Sequence, residues 1–235
     1  MKAGVIAAGL GTRLAQGGVL VPKPLVRVGG ETLIGRALGE AAAAGASRAA
    51  VITTPAFPEV ARVLEAGPWP LPVDLLVWDS PSSIESFLAL EPYLDEPFLM
   101  LTVDGVFAPG ALSRFAAQAQ AAPAAGVLGL TRFQEDEKPR YVEVDPAGRV
   151  TRVGGAAPAA LITAGCYFFH PEVFALKTQA RTRGLGALRE FLAFLVEAGF
   201  PLWGLEVGPA IDVDHPHDIA RAEAFLREGA LACPG

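Results

Sequence analysis

Apolar and polar positions along this chain follow two periods that take turns. Residues 2–8 form a short apolar run, and residues 32–45 carry a helical period that stops at Gly45. The alternation then repeats: strand over 49–53, helix over 58–67, strand over 73–78, helix over 83–94. Residues 97–103 are apolar throughout, as a central strand covered on both faces requires. A helix over 111–122 and a strand over 126–132 follow. Alternating strands and helices predict an α/β protein: a mostly parallel, Rossmann-like sheet in three layers, with helices on both faces.

Near residue 140 the pattern changes. Residues 140–150 alternate apolar and polar around Asp145-Pro146-Ala147-Gly148. That is the signature of a half-exposed antiparallel hairpin, and it predicts a small β excursion packed beside the main sheet. Beyond it lie a strand over 163–169, a helix over 185–198 and a last helix over 218–228.

Candidate chemistry is concentrated at the start. The first strand empties into Gly9-Leu10-Gly11-Thr12-Arg13-Leu14, and Pro22-Lys23-Pro24 follows closely. Glycines let backbone N–H groups approach phosphate oxygens, and Arg13 and Lys23 add cationic donors. Two familiar phosphate loops are excluded. The dinucleotide fingerprint needs a glycine where Leu14 stands, and no Gly-Lys pair of a P-loop occurs anywhere. Asp104 ends the most apolar strand and precedes Gly105. A carboxylate there suits either a metal ion or a turn cap. Asp214 with Pro216 also reads as the cap and first turn of the last helix.

Composition narrows the partners. Of 235 residues, 51% are hydrophobic, enough for a large core. No apolar run reaches the ~20 residues of a membrane helix, and no signal-peptide pattern opens the chain, so a cytoplasmic protein without membrane contact is expected. The net charge of −6 disfavours duplex nucleic acid. Cys166 and Cys233 read as a buried thiol and a spare one. A homo-oligomer stays open.

The spacing Gly9-x-Gly11-Thr12-Arg13 then Pro22-Lys23 resembles the signature of the nucleotidyltransferases that make sugar nucleotides and related activated head groups. The resemblance runs from the first strand to the final helix. It implies a GT-A-like, MobA-like nucleotidyltransferase domain over residues 1–235, with a nucleotide-binding half (1–132) and an acceptor-binding half (133–235). It implies NTP and a small phosphorylated acceptor as substrates, and Mg²⁺ as cofactor. Ala8, Gly9, Leu10, Gly11 and Thr12 would hold the triphosphate, with Arg13 and Lys23 as the catalytic cations. Asp104 would bind Mg²⁺. The segment Asp212-Val213-Asp214-His215-Pro216-His217-Asp218 resembles the family's late acidic motif and supplies the second ligand, Asp212 first and Asp214 second. Mg²⁺ needs no more than one or two carboxylates from the protein. Ser82 and Ser83 resemble the segment that contacts base and ribose, although helix capping yields the same residues.

On the acceptor side, Thr163-Ala164-Gly165-Cys166-Tyr167 resembles the family's segment in which the glycine admits the acceptor. The family's Glu-Lys-Pro after the hairpin is missing. Arg152, or Lys138 and Arg140, would then have to replace its lysine. Two alternatives stand beside this reading. One is a molybdenum-cofactor-type guanylyltransferase, which the first loop argues against. The other is a non-catalytic nucleotide or sugar-nucleotide sensor on the same fold.

Overall fold

The computed structural model describes residues 1–132, 141–154 and 160–231. The chain runs β1 (Lys2–Ala7), α1 (Thr12–Gln16), β2 (Arg27–Val28), β3 (Glu31–Thr32), α2 (Leu33–Ala43), β4 (Ala49–Thr53), α3 (Pro58–Ala66), β5 (Val73–Val77) and α4 (Ser83–Ala89). It continues through β6 (Phe98–Thr102), β7 (Gly105–Phe107), α5 (Ala111–Ala121), β8 (Gly126–Thr131), β9 (Tyr141–Val144), β10 (Val150–Val153) and β11 (Leu161–Phe169). It ends with α6 (Lys177–Thr182), α7 (Leu188–Glu197), β12 (Leu202–Glu206), β13 (Ala210–Asp212) and α8 (Pro216–Leu231).

One sheet carries strands from both halves of the chain, in the order β10-β9-β11-β6-β1-β4-β5, with β8 also on β11 and β12 on β8. The run β6-β1-β4-β5 is parallel, as is β8 with β12. β11 runs antiparallel to β6, β8 and β9. Parallel strands must be wide enough apart in sequence to admit a crossover helix, and α2, α3 and α4 are those crossovers.

Alternate residues of each strand feed two cores, one on each face. Val5, Val51 and Leu101 face Leu38 of α2 and Phe115 of α5. Ile52, Met100 and Phe169 face α4 and α7. On that second face Phe87 of α4 meets Phe98, Phe169, Phe174 and Phe191, with ring centroids 5.0–6.4 Å apart. Rings at these separations gain beyond their buried area, so the cluster ties α4 and α7 to the sheet.

Several sequence expectations need correcting. The hairpin β9–β10 does not pack beside the sheet; β9 pairs directly with β11 and extends it. Its turn is the expected one: Asp145 Oδ1 accepts from the Ala147 and Arg149 amides, both at 2.9 Å. The helix expected over 83–94 stops at Ala89 and yields to a 3₁₀ turn, Glu91–Tyr93, because Pro92 lacks the amide the next turn needs. The last helix begins at Pro216, so Pro216 and Asp218 both lie in its first turn, although the strand-and-helix pattern starts it at 218. Asp214 does not cap it with its side chain; Asp218 does, accepting from the Asp214 and His215 amides. The strands β2, β3, β7 and β13, of two or three residues each, are too short to show a period.

Candidate active site

β1 delivers the chain into the glycine loop at the carboxyl edge of the sheet. Gly11 takes φ +60°, ψ 34°, and a Cβ there would lie 3.0 Å from Lys23 Cβ. Glycine therefore allows both the left-handed turn into α1 and the close passage of the Pro22–Leu25 segment. Buried Leu14 anchors α1, while Arg13 turns outward and donates from Nη1 to Asp214 Oδ2 at 2.8 Å.

Lys23 opens a 3₁₀ turn, Lys23–Leu25, and is only 8% exposed. Its Nζ donates to Asp104 Oδ2 and to Asp214 Oδ1, each at 2.6 Å. Burial works against the ammonium, but the two carboxylates outweigh it and hold the Lys23 pKa above its ordinary value. Burial opposes the Asp104 carboxylate too, and Lys23 still holds its pKa below the usual range.

A two-stranded ribbon brings the distant acids together. β7 and β13 pair antiparallel, with Asp212 opposite Gly105, and the Val213 amide donates to the Asp104 carbonyl at 3.1 Å. Asp104 and Asp212 thereby line one cavity of about 380 Å³. Both oxygens of Asp214 are instead engaged by Lys23 and Arg13. Asp214 is thus placed as their counter-ion, and Asp212 as the carboxylate that shares a cavity with Asp104. Among the described residues no cluster of three or more His, Cys, Asp or Glu forms a closed metal site. Two hard carboxylates lining one cavity are what Mg²⁺ takes when phosphate and water complete its shell, so the residues fit that ion.

The cavity's floor is made by β11, which bulges between Thr163 and Tyr167 relative to β8. Gly165 sits in the bulge at φ +73°, where a Cβ would come within 2.6 Å of Thr102 Oγ1. The bulge re-aims the strand, and the Gly165 carbonyl accepts from Thr102 Oγ1 at 3.4 Å. Ser82 caps α4, its Oγ accepting from the Glu85 amide at 3.3 Å. Ser83 lines the cavity, and its Oγ accepts from the Leu188 amide at 3.0 Å. Both serines therefore have a part in holding helix ends. A smaller cavity of about 120 Å³, lined by Arg13, Asp214, His215 and Arg221, meets the larger one at Thr163 and Asp212.

Arg152 is not brought to either cavity. It stands on β10 at the sheet edge, pairing with Glu143 of β9 at 3.3 Å. Lys138, Arg140 and Cys233 lie outside the described residues. The cation that does line the large cavity is Arg189, in the first turn of α7. Sequence reasoning missed it. The one available signal was a basic residue where a helix dipole favours an acidic one.

The chain is similar to known proteins over most of its length. CMP-5'-(3-aminopropyl)phosphonate synthase of Streptomyces rubellomurinus is 31% identical over 212 residues, covering 85% of this chain and 32% of that protein. The chain thus spans about a third of that relative's length. UTP–glucose-1-phosphate uridylyltransferase AglF of Haloferax volcanii is 24% identical over 237 residues, 97% of each protein. Among solved structures, the inositol-1-phosphate CTP transferase of T. maritima superposes with a TM-score of 0.78 at 20% identity, over 100% of this chain and 98% of that one. A UDP-glucose pyrophosphorylase complexed with UDP-glucose gives 0.79 at 16% identity, over 95% and 98%. At those identities the superpositions speak for the fold. Residues 3–194, which include the glycine loop, Lys23, Asp104 and the β11 bulge, match the MobA-like NTP transferase domain, and the chain belongs to that family.

Proposed function

We propose that this chain is a Mg²⁺-dependent nucleotidyltransferase that joins an NTP to a small phosphate or phosphonate acceptor and releases pyrophosphate. The observation that carries the reading is Lys23, buried and charged, with Nζ 2.6 Å from both Asp104 and Asp214 beneath the glycine loop. An acceptor oxygen attacks the α-phosphorus in line. The new P–O bond forms as the α–β bridging bond breaks, and the electron pair leaves with pyrophosphate. No covalent intermediate with the protein is required.

The protein's part is positioning and charge neutralisation. Backbone amides of residues 8–12 and the Arg13 guanidinium receive the triphosphate. Lys23, held protonated by its two carboxylates, faces the charge that builds on the leaving group. Asp104 and Asp212 would hold Mg²⁺, which when bound supplies Lewis-acid neutralisation at the α-phosphate. The bulge at Gly165 admits the acceptor. The named relatives use CTP or UTP with glucose 1-phosphate, inositol 1-phosphate or an aminopropylphosphonate in their names, which supports a pyrimidine nucleotide and a small oxyanionic acceptor. Among the described residues no helix is long and apolar enough to cross a membrane, and we place the reaction in the cytoplasm.

The test is a pyrophosphate-release screen of four NTPs with Mg²⁺ against those acceptors and phosphocholine. One productive pair is expected, and Asp104→Asn or Lys23→Ala should lower kcat by about 10²–10³-fold. Silence across the panel, with NTP still binding by calorimetry, would favour the sensor reading.

A further inference from the structure

We propose that Arg189 grips the tetrahedral oxyanion of the acceptor, the role that neither Arg152 nor a Glu-Lys-Pro lysine fills here. This rests on the transferase reading above. The cavity that Arg189 lines is walled by Asp104, Asp212, Gly165 and Ser83, and none of residues 8–13 borders it. Gly165, the glycine expected to admit the acceptor, lines it, and Ser83 there is engaged by the Leu188 amide, so the cavity suits the acceptor rather than the triphosphate. The carboxylates of this cavity are matched by Lys23 and by the Mg²⁺ they would hold, so the charge that an acceptor phosphate or phosphonate brings in needs a donor of its own.

Among the residues lining the cavity, Arg189 is that cationic donor. It is exposed, and among the described residues its side chain has no ion-pair or hydrogen-bond partner, whereas Asp104 is already matched by Lys23. Its position does nothing for α7. A positive charge in a helix's first turn opposes the dipole, and the end is capped by Glu190, whose Oε2 accepts from the Gly186 and Ala187 amides at 2.9 and 3.1 Å. The Ser83–Leu188 hydrogen bond fixes the backbone one residue before it. A planar guanidinium with parallel N–H donors, carried on a fixed helix end, suits two oxygens of a phosphate or phosphonate.

The test uses the full chain and Arg189→Ala, Arg189→Lys and Arg189→Glu. Glucose 1-phosphate, inositol 1-phosphate and 3-aminopropylphosphonate are titrated calorimetrically, and CTP and UTP separately. At least one acceptor should bind wild type, with Kd raised tenfold or more in Arg189→Ala, partly restored in Arg189→Lys and lost in Arg189→Glu. The nucleotide Kd should stay within twofold. Equal acceptor constants in wild type and Arg189→Ala overturn the proposal, as does failure of every acceptor to bind wild type. Acceptor binding that depends on Arg189 without pyrophosphate release upholds the site and sinks the transferase reading. Release with an acceptor KM indifferent to Arg189 does the reverse.

Discussion

At the scale of single residues, the Lys23 pair has a definite pH signature. Asp104 has a folded pKa below its ordinary value, so its contribution is present above about pH 4 and lost as pH falls through the folded value. Lys23 has a raised folded pKa, so its contribution is complete below about pH 10 and lost only as pH rises through that higher value. Replacing Lys23 by Met keeps the bulk and strands the Asp104 carboxylate. The variant should lose about 3 kcal/mol at pH 7, the low end for a buried pair because Asp104 and Asp214 retain some contact with water. Burial then raises the Asp104 pKa, protonation relieves the strain, and the deficit should shrink by pH 4. Thermal melts of both proteins at the two pH values decide it; an equal deficit at each would refute the argument. Lys23 and Arg13 were legible in sequence because Gly9-x-Gly11-Thr12-Arg13 is a local pattern. Arg189 was not, since it acts through a cavity assembled from segments that sequence does not join.

At the scale of elements, the crossing of α4 and α7 sets the acceptor wall. Ser83→Ala removes the acceptor of the Leu188 amide and should cost about 1 kcal/mol, read from urea midpoints. Because Arg189 follows that amide, the same change should raise the acceptor KM more than the nucleotide KM. Loss of stability with both KM values unchanged would separate the helix contact from the site. Helices with a clear apolar stripe were readable to within a few residues. The end of α4 was misread because Pro92 acts on the turn before it. β13 escaped because a strand of three residues has no measurable period, and only its partner defines it; β12, with Trp203, Gly204 and Glu206 among its five residues, lacks the continuous apolar run that announces β6. The bulge in β11 belongs to the same class: Gly165 announced a special position, while the pairing that gives it meaning lies on β8.

At the scale of the whole molecule, the parallel half was legible and the joining of the halves was not. Alternation of strand and helix predicts β1, β4, β5 and β6 and their crossovers, but nothing local says that β11 closes the free edge of β6. That closure has a consequence for how the chain is made. β6, with the sequence Phe-Leu-Met-Leu-Thr, gains its second neighbour only when residues 161–169 have emerged from the ribosome. At about 5–20 residues per second, an apolar strand edge waits several seconds for its cover. Such an edge is a template for pairing with another nascent chain. A chain stopped after residue 160 should therefore aggregate or be retained by chaperones where the full chain does not, as sedimentation of the two translation products would report. The strand that floors the proposed acceptor site is also the guard of an adhesive edge in the newborn protein.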